Sequence, residues 1–283
     1  MALRFEAISM WLAMGLYAGA TVLYAYHFMS KKTSYSKLAT FLTGAGWLLH
    51  TASVGLHSSS AEGSRLWGPY SIVLAAWALV LVYFVVEHLI KLKVYGTVLV
   101  PLGLFLLLVA QVMGAGAPAT APPAAELRLL DSWRVAVHVV LIVFANAGFA
   151  IGAVASGAYL ILEAQLKGHR TSTFFKRLPS LAQTDSIARR AIAWAFPAYT
   201  AGLLLGILRA IETDVSGWWA DPRVMLAGAV WAAFGAYLYL HYGRNVSGRT
   251  TVWIALAGLV LVVATAIVAR VAPVGFHVFG AGG

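Results

Sequence analysis

The sequence predicts an all-α fold: a polytopic membrane helical bundle of about eight transmembrane helices, with the N-terminus and C-terminus both outside the cytoplasm. Three observations predict it. Of 283 residues, 61% are hydrophobic and only 11% charged, where a soluble domain carries about 25% charged residues. The apolar residues gather in eight runs, each near the length of about 20 residues that crosses a bilayer core as a helix. The basic residues between the runs collect on one side of that threading, as the positive-inside rule requires.

The first run spans about Ile8 to Met29. Arg4 ahead of an apolar stretch resembles a secretory signal, but the run is long and Lys31-Lys32 closes it as a cytoplasmic stop, so it reads as a retained span. The next three run from about Leu38 to Leu56, Pro69 to Val86 and Val94 to Met113. Residues 115–130 hold Pro118, Pro122 and Pro123 among alanines and read as an extended loop. Four more runs follow, from about Val135 to Leu162, Ala191 to Leu208, Val224 to Leu240 and Thr251 to Ala269. Helix is the state expected throughout, because an open strand leaves backbone groups unpaired in lipid. No internal repeat stands out, and the chain reads as a single integral membrane domain over 1–283. Its larger connections are an external tryptophan-rich loop at about 212–223 and a cytoplasmic basic loop at about 163–190.

Sidedness follows from charge. The loops after the first, third, fifth and seventh spans hold all seven lysines and six arginines, against three acids. The other side holds seven arginines and seven acids. The whole formal charge of +10 therefore lies on one face, the cytoplasmic one, and the expected location is the cell membrane. Basic loops this short, at membrane ends, read as meeting anionic headgroups and not nucleic acid. The absence of cysteine excludes disulfides, thiolate metal sites and thiol chemistry by the chain itself.

Eight histidines in so apolar a chain are the main functional signal, because ionisable groups in a span are costly. The threading sorts them into layers. His57, His138 and His277 lie near the outer face, with His50 somewhat deeper; His27, His88 and His241 lie near the cytoplasmic face, and His169 in a loop. Each alone can merely bond a carbonyl or meet headgroups. Two layers without cysteine and with few buried carboxylates disfavour hard-cation and structural zinc sites. They suit axial ligation of haem iron, with copper or a proton relay left open. The loop from Glu212 to Arg223 sets Trp218 and Trp219 side by side on the outer face, where they offer flat surfaces to a porphyrin or form part of an interfacial aromatic belt. Arg65, Arg134, Arg209 and Arg223 lie on the same side and suit propionates. Asp221 is a candidate acid or base, or equally a helix cap ahead of Pro222.

Several segments, in order, resemble the CcsA/ResC/CcmC haem-handling membrane proteins of cytochrome c assembly, which include HemX-like members. They are Gly46 to Thr51, Trp67 to Ser71, Val100 to Leu102, Trp133 to His138, and Arg177 to Leu181 leading through Asp185 to Pro197 and Thr200 to Gly202. The series ends with Trp218 to Pro222, Ala236 to His241 and Gly275 to Gly280. The resemblance implies that His138 and His277 flank the external segment and ligate haem b, iron held axially, at the outer face. It implies that His241 helps to bind haem in the inner half of the membrane. It also implies that Trp218, Trp219 and Asp221 belong to the external site, and that apocytochrome c and a ResB/CcsB-type membrane protein are partners. The function implied is presentation of haem for attachment to apocytochrome c, as part of a haem lyase or synthase. The family's external segment reads Trp-x-Trp-Asp-Pro-Lys-Glu; here Ala220 stands for the second tryptophan and Val224 for the glutamate. That departure leaves synthase competence open and keeps a HemX-like scaffold, or a haem-carrying structural subunit of a respiratory or photosynthetic complex, as alternatives.

Overall fold

Each of the eight apolar runs is a helix in the computed structural model, which describes residues 2–30, 32–59, 70–90, 93–114, 132–168 and 179–271. The helices are α1 (Ala2–Ser30), α2 (Thr33–Ser59), α3 (Tyr70–Ile90), α4 (Gly96–Val112), α5 (Trp133–Lys167), α6 (Leu181–Glu212), α7 (Pro222–Leu238) and α8 (Arg249–Val271). One 3-10 turn, Lys93–Tyr95, leads into α4 and another, Trp218–Ala220, precedes α7; a π turn, Tyr239–Gly243, extends α7. No strand occurs among the described residues.

Seven of these helices are long and apolar enough to cross a membrane. The exception is α2. Its 27 residues are ample at 1.5 Å each, but its buried residues include Ser36, Thr43, His50 and Ser53. Leu38, Phe41 and Leu48 on the same helix are exposed. The polar stripe is turned inward, so α2 presents an apolar face outward and completes a set of eight. Each polar group on a span has to find its partner inside the protein.

The helices fall into two compact units, Met1–Ala121 and Pro122–Gly283. In the first, α1 packs along α2, and α3 along α4. Close approach is set by glycine: a Cβ on Gly46 would lie 2.9 Å from the Tyr17 ring. Trp47 and Trp77 stack with centroids 5.4 Å apart, and each indole N–H donates, to the Trp77 carbonyl and the Thr51 hydroxyl respectively. In the second unit, α5 and α6 pack along their length. Gly148, Gly152 and Ser156 form a small-residue face of the kind that lets membrane helices approach; a Cβ on Gly148 would stand 2.8 Å from that of Ala195. Phe149 stacks on Phe234 at 3.7 Å in a core completed by Tyr199, Tyr237 and Ala255.

Pairs across the second unit fix its helix directions. Arg134 near the start of α5 meets Glu212 at the end of α6, Tyr199 donates to the Ala227 carbonyl, and Arg249 at the start of α8 meets Glu163 near the end of α5. The start of α5, the end of α6, the start of α7 and the end of α8 therefore lie at one end of this unit.

Candidate functional site

At that end His138 lies in the second turn of α5, half-buried on a bed of two glycines of α6. Its Nδ1–H donates to the Gly202 carbonyl at 2.6 Å, and a Cβ on Gly206 would stand only 2.8 Å from its Cε1. Glycine at both positions lets the imidazole lie against bare helix backbone. The bond to Gly202 selects the tautomer whose lone pair is on Nε2, the arrangement by which proteins orient a metal-ligating imidazole.

One turn nearer the helix end, Arg134 bonds Glu212 at 3.0 Å and Arg209 reaches the same carboxylate at 3.7 Å. Arg134 thereby joins α5 to α6, whereas Arg209 pairs with Glu212 within α6 itself. Arg65 lies outside the described residues. The external loop closes in a 3-10 turn entered through Gly217, whose φ of 71° is left-handed, a conformation that costs glycine little. Successive side chains of such a turn point about 120° apart. Trp218 is half-buried and Trp219 is 69% exposed, so the two rings differ in accessibility. Asp221 is buried and its Oδ1 accepts the Arg223 N–H at 2.8 Å, with Pro222 in the first helical position. Of the two roles open to it, the structure displays the helix cap. His277 lies outside the described residues; α8, the last described helix, ends on the same side as His138.

His241 occupies the opposite end. Its ring is buried in the π turn, stacks on Tyr237 with centroids 4.9 Å apart, and brings Nε2 within 3.4 Å of Asp185 Oδ1 on α6. Gly202 and Asp185, the α6 residues that meet the two histidines, are 17 positions apart in one helix, or about 25 Å. His138 and His241 thus lie in separate layers and cannot hold one iron between them. Among the described residues no three histidine and acidic side chains converge as a metal site.

The first unit contains polar groups whose pairing was not legible from sequence. His50 is fully buried, its Nδ1 3.4 Å from the Tyr17 hydroxyl. His57 stacks on Tyr70 and pairs through Nδ1 with Glu6 at 2.9 Å. Tyr24 and Tyr83 share a 2.6 Å hydroxyl bond, and Thr40 donates to Glu87, which also faces Lys93 at 3.7 Å. The inward stripe of α2 was the signal: Thr40, Thr43, His50, Ser53 and His57 recur at intervals of three, four or seven, placing them on one helix face.

Bundled apolar helices, an inward polar stripe in the first unit and histidines at both ends of the second define a multi-pass membrane protein. The chain belongs to the cytochrome c assembly protein family, whose pattern it matches over residues 64–277, and so has a role in cytochrome c biogenesis. It is similar to the cytochrome c biogenesis protein CcsA of Prochlorococcus marinus (strain MIT 9303), 28% identical over 300 residues covering 95% of this chain and 93% of the relative. It is also similar to protein HemX of Brevibacillus brevis, 28% identical over 257 residues covering 88% and 90%. The CcsA of Guillardia theta is 27% identical over 215 residues, 68% of each chain. No solved structure matches the chain.

Proposed function

We propose that this chain is a haem-handling subunit of cytochrome c maturation in the cell membrane. It acts as one integral membrane domain with both termini outside, and holds haem b at the outer face for attachment to apocytochrome c. The observation that carries the reading is the Nδ1–H bond from His138 to the Gly202 carbonyl, because it presents Nε2 as an acceptor toward a metal. In this reading His138 and His277 would hold the haem iron outside, and His241 would help to hold haem in the inner half. Haem, when bound, supplies the iron and the vinyl groups to which the substrate's cysteine thiols add.

The chain's own contribution is positioning. Gly202 and Gly206 seat the His138 ring, and the Arg134–Glu212 bond holds α5 and α6 together one turn away. Asp221 caps α7 and so fixes where the tryptophan turn leaves the bundle. Trp219 is exposed for contact with haem or substrate, and Trp218 lies half-buried beside it in the same external site. A ResB/CcsB-type membrane protein is the partner that fits the reading.

A visible spectrum of the purified protein with and without dithionite tests it first: a Soret band is expected. His138→Gly and His277→Gly should each lower bound haem, and added imidazole should restore part of it. Full, unshifted Soret bands in both single variants would remove these residues as ligands. Ala220 in place of the family's second tryptophan favours a second reading, a HemX-like scaffold. Co-expression with a CxxCH-containing apocytochrome separates the two, since only the first yields holocytochrome.

A further inference from the structure

The inner end of the second unit contains a contact that neither the sequence reading nor the family resemblance assigned. His241 sits in a π turn, Tyr239–Gly243, a backbone form that is rare and concentrates at functional sites. Its side chain is 3% exposed, and the anion it faces is Asp185, whose Oδ1 lies 3.4 Å from Nε2. Tyr237, stacked flat against the ring, limits how far the imidazole can turn. Both ring nitrogens are buried and neither has a hydrogen-bond partner among the described residues, but only Nε2 faces a carboxylate. Arg189, one turn further along α6, lies over the Tyr242 ring.

We infer that Asp185 is the positioning residue of the inner histidine: its carboxylate accepts the Nε2–H of His241 and so leaves the Nδ1 lone pair as the ligating one. The inference rests on the reading of His241 as an inner haem ligand and adds which nitrogen ligates and what orients it. A small rotation of the ring closes a hydrogen bond from the present 3.4 Å. A neutral imidazole has one donor and one acceptor nitrogen, and a bond at the donor decides which is left for metal. An anionic acceptor also strengthens the basicity of the ligating nitrogen, and loss of such a partner typically costs 10–100-fold in metal affinity. The orphaned Nδ1 is a buried polar atom of the kind that a ligand satisfies. The outer histidine is the reverse case: there the carbonyl of Gly202 takes Nδ1–H and leaves Nε2. The two layers therefore present opposite nitrogens.

The test uses the full-length protein carrying His138→Gly, so that the outer site does not contribute. In that background Asp185→Asn should speed haem loss to apomyoglobin by about ten-fold and lower the iron–histidine stretch of the ferrous protein, while Asp185→Glu restores both. Unchanged haem loss and stretch in Asp185→Asn would overturn the inference while leaving His241 as ligand. If instead His241→Gly leaves the inner haem spectrum unchanged, the reading of His241 fails and the inference falls with it. A measurement without haem provides an independent check. In histidine-selective ¹⁵N spectra of the haem-free protein, with the His241 signals assigned by their loss in His241→Gln, the neutral ring should carry its proton on Nε2 and lose that preference in Asp185→Asn. A proton on Nδ1 in the parent overturns the proposal.

Discussion

Gly206→Ala is the sharpest probe of the outer site, because it perturbs His138 without touching its chemistry. An added Cβ would stand 2.8 Å from Cε1 and 2.9 Å from Nδ1 of that ring. Carbon pairs settle at about 3.5 Å or more, so the imidazole has to withdraw by roughly 0.6–0.7 Å. That would stretch its 2.6 Å bond to the Gly202 carbonyl to about 3.2–3.3 Å, the outer limit of such a bond. Overpacking of this kind costs about 1–3 kcal/mol, while alanine in a helix interior recovers about 1 kcal/mol over glycine. Net stability should therefore fall by about 2 kcal/mol at most. Loss of the bond that orients a ligating histidine costs about 10–100-fold in affinity, or about 1.4–2.8 kcal/mol. The expected signature is a small change in melting temperature beside a large loss of haem binding. Haem titration of the stripped protein, read at the Soret band, measures the second; a thermal melt measures the first. Gly228→Ala is the control: nothing lies within 4 Å of its added Cβ, so haem affinity should hold. Binding by Gly206→Ala within two-fold of the parent would refute the reasoning that this bond presents His138.

Gly96→Ala should destabilise the first unit by about 1–3 kcal/mol, seen as a lower melting temperature, because its Cβ collides with the Tyr83 hydroxyl and the Tyr24 ring. Gly15→Ala, with nothing within 4 Å, should be neutral or stabilising in the same assay. Trp219→Ala should leave stability within about 0.5 kcal/mol, as an exposed position does, yet lower the yield of holocytochrome in co-expression. An unchanged yield would make the turn an interfacial anchor. An impermeant amine reagent applied to sealed cells should leave Lys32, Lys93 and Lys167 unlabelled until the membrane is opened, and early labelling of any one would overturn the inside-positive threading.

The helices were legible because burial in lipid leaves a strong apolar signal in the sequence. Their ends were not. The run beginning at Ala191 is the inner part of a helix that starts at Leu181, where Thr184, Asp185, Arg189 and Arg190 dilute the hydropathy. The start is set by a capping box between Ser180 and Gln183, a signal of hydrogen bonding and not of hydrophobicity. Pro101 and Pro197 lie inside helices, which neighbouring helices tolerate in membranes. At the site, the separation of His138 from His241 followed from the threading, but the partner of each did not. Gly202 holds His138 by a backbone carbonyl, and every residue has one, so no residue type could announce it. Asp185 meets His241 across 56 positions of sequence through a π turn that periodicity does not reveal. The difference in exposure between Trp218 and Trp219 likewise goes with a 3-10 turn entered through Gly217.

The interior of the second unit limits how its two histidine layers can cooperate. Between them the core is filled by Phe149, Tyr199, Phe234 and Tyr237, with Phe149 and Phe234 stacked at 3.7 Å and Tyr199 edge-on to Phe149. A porphyrin passing through would have to displace several of these rings. Removing one buried phenylalanine from a core costs about 3–5 kcal/mol, so unpacking two costs roughly 6–10 kcal/mol. At 1.4 kcal/mol for each factor of ten, that is a penalty of about four to seven orders of magnitude. The distance of about 25 Å between the layers cannot be bridged by rotating a side chain. On the proposed reading, haem passing from His241 to His138 would have to travel outside this core, and the two histidines would be separate stations. Their tautomers can also be set independently: a carbonyl of α6 bonds His138, and the carboxylate inferred to orient His241 lies on the same helix about five turns away.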